Sequence, residues 1–351
     1  MDGLTSIHEF LPQLMSQLTS TTTSSSSSSS PPGRLIDFGA GVRDDDPMFP
    51  FVDAKWEALL VDGDPDQRLK MEKRFPYDTA HVDISYILAD TMTDLLHRHD
   101  GFDSLVDMLK IDIDSFDCYV MHKILQVIRP KVVIMEVNVK YPPHMRMALF
   151  PGYEYHYETS SADAGETKND NKNKTALTQI PFNSEQRGHV YGCSLAYQVQ
   201  DLMKPNGYEL IHMDWNNAIY IDTMSVVINN GGLNNDATTT KTTNTRGKKS
   251  SSWQDMYNNG YWNRKDRDTE FGFNREIIPW NTKTVDQVYE ALQELFQSGD
   301  DSSHANHHLY FADVEEEDLV HACFDSKGVL EHASKSKGCT PQIVKDGGNG
   351  F

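Results

Sequence analysis

Between about residues 34 and 222, short and almost wholly apolar runs alternate with segments of helical spacing, and no single motif limits the fold as much. The runs are "RLIDFG", "WEALLVDGD", "HVDIS", "LVDMLKIDID", "KVVIMEVN", "YELIHMD" and "NAIYID". Helical spacing lies between them in "TMTDLLHRH", in "FDCYVMHKILQVI" before Arg129-Pro130, and in "SLAYQVQDLM" before Asn206-Gly207. Strands buried on both faces read as continuous apolar runs, and parallel neighbours need helical crossovers. The last two runs are so close together that they suit an antiparallel hairpin. The expectation is an α/β, Rossmann-like, seven-stranded and mostly parallel sheet, with one antiparallel edge strand and helices on both faces.

Low-complexity stretches mark the flanks of this unit. Leu4, Ile7, Leu11, Leu14 and Leu18 form a helical apolar stripe, with Ser6 and Glu9 placed for a capping box. Self-docking is the favoured use of that stripe, ahead of a partner or a membrane. A Ser/Thr run follows, so residues 1–33 read as an amphipathic helix plus a disordered linker. Residues 34–230 form the main domain, with a polar insertion over 158–180. Residues 231–252 are a second disordered linker, and 253–351 a helical or irregular extension whose surface is offered to a protein partner.

A formal net charge of -20 disfavours a sequence-independent grip on nucleic acid and on anionic membranes. No run approaches the roughly 20 apolar residues of a membrane span. No Lys or Arg precedes Arg34, so the basic flank of a secretory signal is missing and the expectation is cytoplasmic. Cys118, Cys193, Cys323 and Cys339 have no metal-type spacing and are expected as reduced thiols. Asn173-Lys174-Thr175 is a glycosylation triplet of a kind that also arises by chance.

Three groups of residues carry chemistry. Asp37, Gly39 and Gly41 follow the first strand, where ligands bind open sheets. A GxG alone is an ordinary turn, but Asp62 ends the next strand about twenty residues on, where an acid accepts ribose hydroxyls. The loop continues as Val42-Arg43-Asp44-Asp45-Asp46, and three carboxylates would repel a pyrophosphate. S-adenosylmethionine carries a sulfonium and an ammonium group and no phosphate, so it suits the loop better than NAD. The third group is Asp112, Asp114 and Asp117 with Glu136 and Asn138, at the ends of the fourth and fifth strands. Orienting a substrate hydroxyl, acting as general base and binding a divalent cation through oxygens all fit those residues, and no metal ligand set is assigned. Among His122, His144, His156 and His189, the best base is His189, just before "YGCSL"; His122 sits in a helix as a packing residue.

At "LLVDGDP", "MLKIDIDSFD", "MEVNVKYPP", "GCSLAYQVQDLMKPNGYELI" and "NAIYI" the chain resembles the FkbM-like branch of S-adenosylmethionine-dependent methyltransferases. The resemblance covers roughly residues 34 to 222. It implies the seven-stranded methyltransferase fold and methyl transfer, often to a hydroxyl of a sugar or natural product. By position it implies cofactor contacts at Asp37, Gly39, Gly41, Asp62 and Asp112. An acceptor is expected beside Asp114, Glu136 and Asn138, with His189 as a further proton acceptor. Two departures stand out. Pro47 and Pro50 interrupt the helix after the glycine loop, and Ser115 stands where a glycine is common. The alternative reading is a catalytically inactive Rossmann-like binding or scaffold protein.

Overall fold

In the computed structural model the apolar runs become strands because each inserts alternate side chains into two cores, one on either face of a single sheet. The structure describes residues 5–19, 31–87, 91–151, 190–224, 252–270, 283–295, 308–315, 320–324 and 330–332. The strands of the main sheet are β1 (Arg34–Phe38), β2 (Glu57–Asp62), β3 (Ala80–Ile84), β4 (Met108–Ile111) and β5 (Val132–Glu136). A sixth strand, β6 (Met145–Phe150), leaves for a second sheet, and the hairpin β7 (Tyr208–Asp214) and β8 (Asn217–Asp222) completes the first. The order across the main sheet is β3-β2-β1-β4-β5-β8-β7. β1 to β5 run parallel, and the single reversed strand, β8, pairs antiparallel with both β5 and β7. This is the seven-stranded Rossmann-like sheet that the alternation implies.

Period-two alternation sorts the side chains. Ile36, Phe38, Leu59, Val61, Leu109, Ile111, Val133, Met135, Ala218 and Tyr220 fill one core, against the helices Met92–His97 and Asp117–Ile124. Leu35, Ala58, Leu60, Met108, Val132, Ile134, Ile219 and Ile221 face the other. The N-terminal helix Ile7–Thr19 docks on this second core through Ile7, Leu11, Leu14 and Met15, all buried. The Asp214 carboxylate accepts a 2.8 Å hydrogen bond from the Ile7 amide at the helix start, where a negative charge also favours the helix dipole. The same carboxylate contacts Arg264, so one side chain joins the first helix, β7 and the segment after residue 252.

Three expectations need correction. The chain beyond residue 253 is more than a helical or irregular extension. Tyr257 and Tyr261 are buried in the first core, and the Tyr257 hydroxyl donates to the Val139 carbonyl at 2.6 Å. β6 then pairs with β9 (His308–Asp313), which pairs with β10 (Val320–Phe324) and β11 (Leu330–His332), giving a four-stranded antiparallel sheet. Leu309 and Phe311 alternate into its core with Val288 and Leu292 of the helix Val285–Leu295. That strand is short, and its partner lies more than 150 residues earlier, so periodicity within the tail hides it.

The second correction concerns the boundary. The main domain does not stop at residue 230, because Gly260 packs so closely on Met213 that a Cβ there would lie 2.4 Å from its carbonyl oxygen. The third concerns the thiols. Cys118, in the helix after β4, is joined to Cys193 by a disulfide spanning 75 residues. Spacing along the chain gives no sign of this pairing, which the parallel crossovers create. Both Ser/Thr-rich linkers and the polar insertion fall outside the described residues, apart from Pro31–Gly33 and Ser252. No helix among the described residues is long and apolar enough to cross a membrane.

A cross-link over that separation restricts the unfolded chain most. Reduction is expected to lower the unfolding free energy by about 2–4 kcal/mol, read from urea denaturation with and without reductant. Peptide mapping without reductant should recover Cys118 and Cys193 in one linked species. Unchanged stability together with two free peptides would contradict the pairing.

Candidate functional site

The strand register builds the site. Phe38 of β1 lies beside Val61 of β2 and Ile111 of β4, and Ile111 lies beside Met135 of β5. The next residue on each strand is therefore Gly39, Asp62, Asp112 and Glu136, which form a row along the carboxyl edge of the sheet. Ligands bind open α/β sheets at this edge.

Gly39 must be glycine. Its φ is +83°, and a Cβ would lie 1.8 Å from the Asp112 carbonyl oxygen. Gly41 also has positive φ, +51°, and the atom nearest to its missing Cβ is Asp62 Oδ2 at 4.0 Å. The space above Gly41 is therefore open and walled by a carboxylate. Asp62 is fixed from behind: its Oδ2 accepts from the Gly41 amide at 3.0 Å and its Oδ1 from the Asp64 amide at 2.7 Å.

Beneath the row lies a buried cation. Asp37 and Lys110 are register partners on β1 and β4, and both point to the second core. The Lys110 ammonium lies 3.0 Å from Asp46, 3.3 Å from Asp37 and 3.6 Å from Asp112. Burial alone would lower the Lys110 pKa, but Asp37, Asp46 and Asp112 raise it well above the usual range. The Asp37 carboxyl is pushed up to about 8, by burial first and by Asp46 second, against the pull of Lys110. Asp37 thus supports the loop from below, where its side chain is fully buried. Asp46 is turned inward too, so only Asp44 and Asp45 of the acidic run are exposed. A lysine inside an apolar strand, as Lys110 is in β4, signals buried counter-charges.

Glu136 is 6 % exposed and held at two points. The Gln198 side-chain amide donates to its backbone carbonyl at 2.6 Å, and the Tyr220 hydroxyl in turn donates to Gln198 Oε1 at 3.0 Å. Asn216 Nδ2 donates to Glu136 Oε1 at 2.9 Å, while Oε2 is buried with no hydrogen-bond partner among the described residues. Burial first, then Asp112, Asp114 and Asp117, raise the Glu136 pKa well above the carboxylate range. One carboxylate oxygen from each of Asp112, Asp114 and Glu136 falls within 4.8 Å of the others. Asn216 lies outside every motif, and only the β5–β8 pairing brings it to the row.

The other expected residues divide. Asp117 turns away from the edge: its carboxylate accepts from the Ile113 and Ser115 amides at 2.9 and 3.1 Å and shapes the loop after β4. Its pKa rises to about 7, chiefly through burial. Asn138 is fully buried, donating to the Tyr191 carbonyl at 2.9 Å and accepting from the Lys140 amide at 3.3 Å. It therefore positions the chain after β5. His144 meets the Lys283 carbonyl at 3.0 Å in the second sheet's surroundings. His156 and His189 lie outside the described residues.

The chain matches no known family profile and no curated protein. It is similar in fold to several solved structures. One is monomeric WbdD, at 10 % identity over 61 % of this chain and a TM-score of 0.34; the match spans 40 % of WbdD's length. Another is the methyltransferase domain of a bacterial CtHen1-C, at 13 % identity, 61 % of this chain, 97 % of that one and a TM-score of 0.33. A third is a Burkholderia thailandensis 1,6-didemethyltoxoflavin-N1-methyltransferase, at 10 % identity, 60 % of this chain, 77 % of that one and a TM-score of 0.33.

Two outcomes follow from the buried network. Lys110→Met leaves buried carboxylates without their cation and is expected to cost about 3–5 kcal/mol of unfolding free energy. Asp37 binds its proton more tightly folded than unfolded, so its contribution is fully present below the unfolded pKa and is lost as pH rises toward about 8. Denaturation at about pH 5 and about pH 8 should show stability falling with pH, less steeply in Asp37→Asn. Equal slopes in the two proteins would mean that Asp37 holds no such proton.

Proposed function

We propose that this chain is an S-adenosylmethionine-dependent methyltransferase acting on a hydroxyl of a small-molecule or sugar-type acceptor. The observation that carries the proposal is the row Gly39, Asp62, Asp112 and Glu136 at the carboxyl edge, with open space above Gly41 beside the Asp62 carboxylate. The donor chemistry of this edge fits the cofactor. Backbone amides and a rigidly held carboxylate suit ribose hydroxyls, and the surrounding acids suit an ammonium and a sulfonium group. A pyrophosphate would meet Asp62, Asp112, Asp114 and Glu136 at short range, which disfavours NAD.

When bound, S-adenosylmethionine supplies a methyl group on a sulfonium, an electrophile with a good leaving group. The residues of the chain then have three tasks. Gly39, Gly41 and Asp62 bind and orient the cofactor, with Asp112 toward its charged end and Asp37 supporting the loop from beneath. Asp114, the exposed member of the cluster, takes the proton from an acceptor hydroxyl, and His189 is a second candidate for that role. Glu136, held by Asn216 and Gln198, lines the acceptor position, while Asn138 sets the backbone that follows it. Alignment and exclusion of water supply most of the acceleration in such a displacement.

Calorimetry with S-adenosylmethionine tests this reading. The intact chain should bind, and Asp62→Ala should weaken binding by about tenfold or more, roughly 1.4 kcal/mol. No heat at about millimolar ligand from folded protein, which at that level excludes a Kd tighter than about 1 mM, would leave the alternative: a non-catalytic Rossmann-like protein with the C-terminal part as its partner surface.

A further inference from the structure

We infer that Asp112, Asp114 and Glu136 form a binding site for one divalent, oxygen-seeking cation of the Mg2+, Mn2+ or Ca2+ class. Two observations carry this. The first is geometric: an oxygen from each carboxylate lies within 4.8 Å of the other two. A cation with bonds of about 2.4 Å spans opposite ligands of that separation, and one with bonds of about 2.1 Å needs only a small contraction. Three carboxylates with no nitrogen or sulfur donor select hard cations over zinc or copper.

The second observation is the state of Glu136. Its side chain is 6 % exposed, and Oε2 has no hydrogen-bond donor among the described residues; the neighbouring Asp112 carboxylate can meet it only by sharing a proton. A buried carboxylate oxygen without a donor is costly. The other oxygen accepts from Asn216 Nδ2 at 2.9 Å, which fixes the carboxylate plane as outer partners commonly fix metal ligands. Lys110 reaches Asp112 at 3.6 Å, but it lies closer to Asp46 and Asp37, so one positive charge is shared among three carboxylates. A divalent ion beside Glu136 would occupy the open oxygen.

The site adjoins the glycine loop through Asp112, whose carbonyl oxygen contacts Gly39. If the methyl-transfer reading holds, on which this part rests, the cation would hold the acceptor oxygen and lower the pKa of its hydroxyl; Asp114, then a ligand, would cede the proton to solvent or to the second candidate base. The favoured acceptors would then be those that offer a second oxygen to the metal, such as adjacent hydroxyls.

The test is Mn2+ binding to the full chain in roughly physiological salt, which screens diffuse attraction to a highly charged protein. Electron paramagnetic resonance of free Mn2+ reads it without any cofactor. One site per chain is expected, weakened at least tenfold in Glu136→Gln and in Asp114→Asn. Both substitutions nearly preserve volume, and Asn tolerates the left-handed conformation of Asp114, whose φ is +51°. Circular dichroism of each variant confirms folding. Binding equal in wild type and both folded variants would overturn the site, and so would no binding at all, which would leave a shared proton in the cation's place. Mn2+ binding without S-adenosylmethionine binding would keep the site and remove the methyl-transfer reading. The reverse result would do the opposite.

Discussion

A single buried lysine sets the geometry on which the rest depends. Lys110 lies in the middle of β4 with its ammonium inside the second core, and the only way such a charge is tolerated there is in company. Its register partner Asp37 supplies one carboxylate from β1, and Asp46 folds back from the glycine loop to supply another. That return explains the path of the chain after Gly41. Pro47 and Pro50 forbid a long helix directly after the loop, and the short helix Phe49–Asp53 instead buries Phe49, Phe51 and Val52. The loop is thus anchored by charge below and by apolar packing beyond. Such ion networks contribute little net stability compared with apolar packing, but removing one partner is expensive, so they fix a conformation firmly.

From this anchor the carboxyl edge acquires its character. Gly39 lets β1 approach the Asp112 carbonyl, and Gly41 binds Asp62 in place. On the far side, Gln198 and Asn216 hold Glu136 from two directions. The disulfide between Cys118 and Cys193 ties the helix after β4 to the turn that carries Ser194, whose hydroxyl bridges Met145 and Met147 of β6. The site is therefore supported by strand ends, by the returning loop through Asp46 and by the turn that carries Asn216. Rigid support of that kind suits a reaction whose main demand is alignment.

Much of the sheet was legible because its strands are buried on both faces. "RLIDF", "EALLVD" and "VVIME" announce themselves by composition, and the parallel arrangement follows from the helices between them. β6 and β9 were not legible. "MRMALF" contains Arg146, buried against Asp201 at 2.8 Å, and "HLYFAD" sits in a tail with no other strong signal. The glycines and edge acids could be placed at the carboxyl edge from the sequence because they end apolar runs that read as strands. Alternation sends polar residues below the sheet or above it as it does apolar ones, and it turns Asp37 of β1 into the second core; Asn138 lies past the end of β5, where no period applies. Lys110 was hidden inside its own motif. Asn216 and Gln198 act through pairing of distant segments, which spacing does not encode.

The edge from Gly39 to Glu136, proposed as the cofactor site, is organised by the residues beneath it. The most direct measurement is a crystal structure of the full chain with S-adenosylhomocysteine, the demethylated product. The account predicts ribose hydroxyls on the Asp62 carboxylate, the ligand backbone over Gly39 and Gly41, and Lys110 still enclosed by Asp37 and Asp46. A ligand bound elsewhere on the protein, or an edge left empty at saturating ligand, would contradict it.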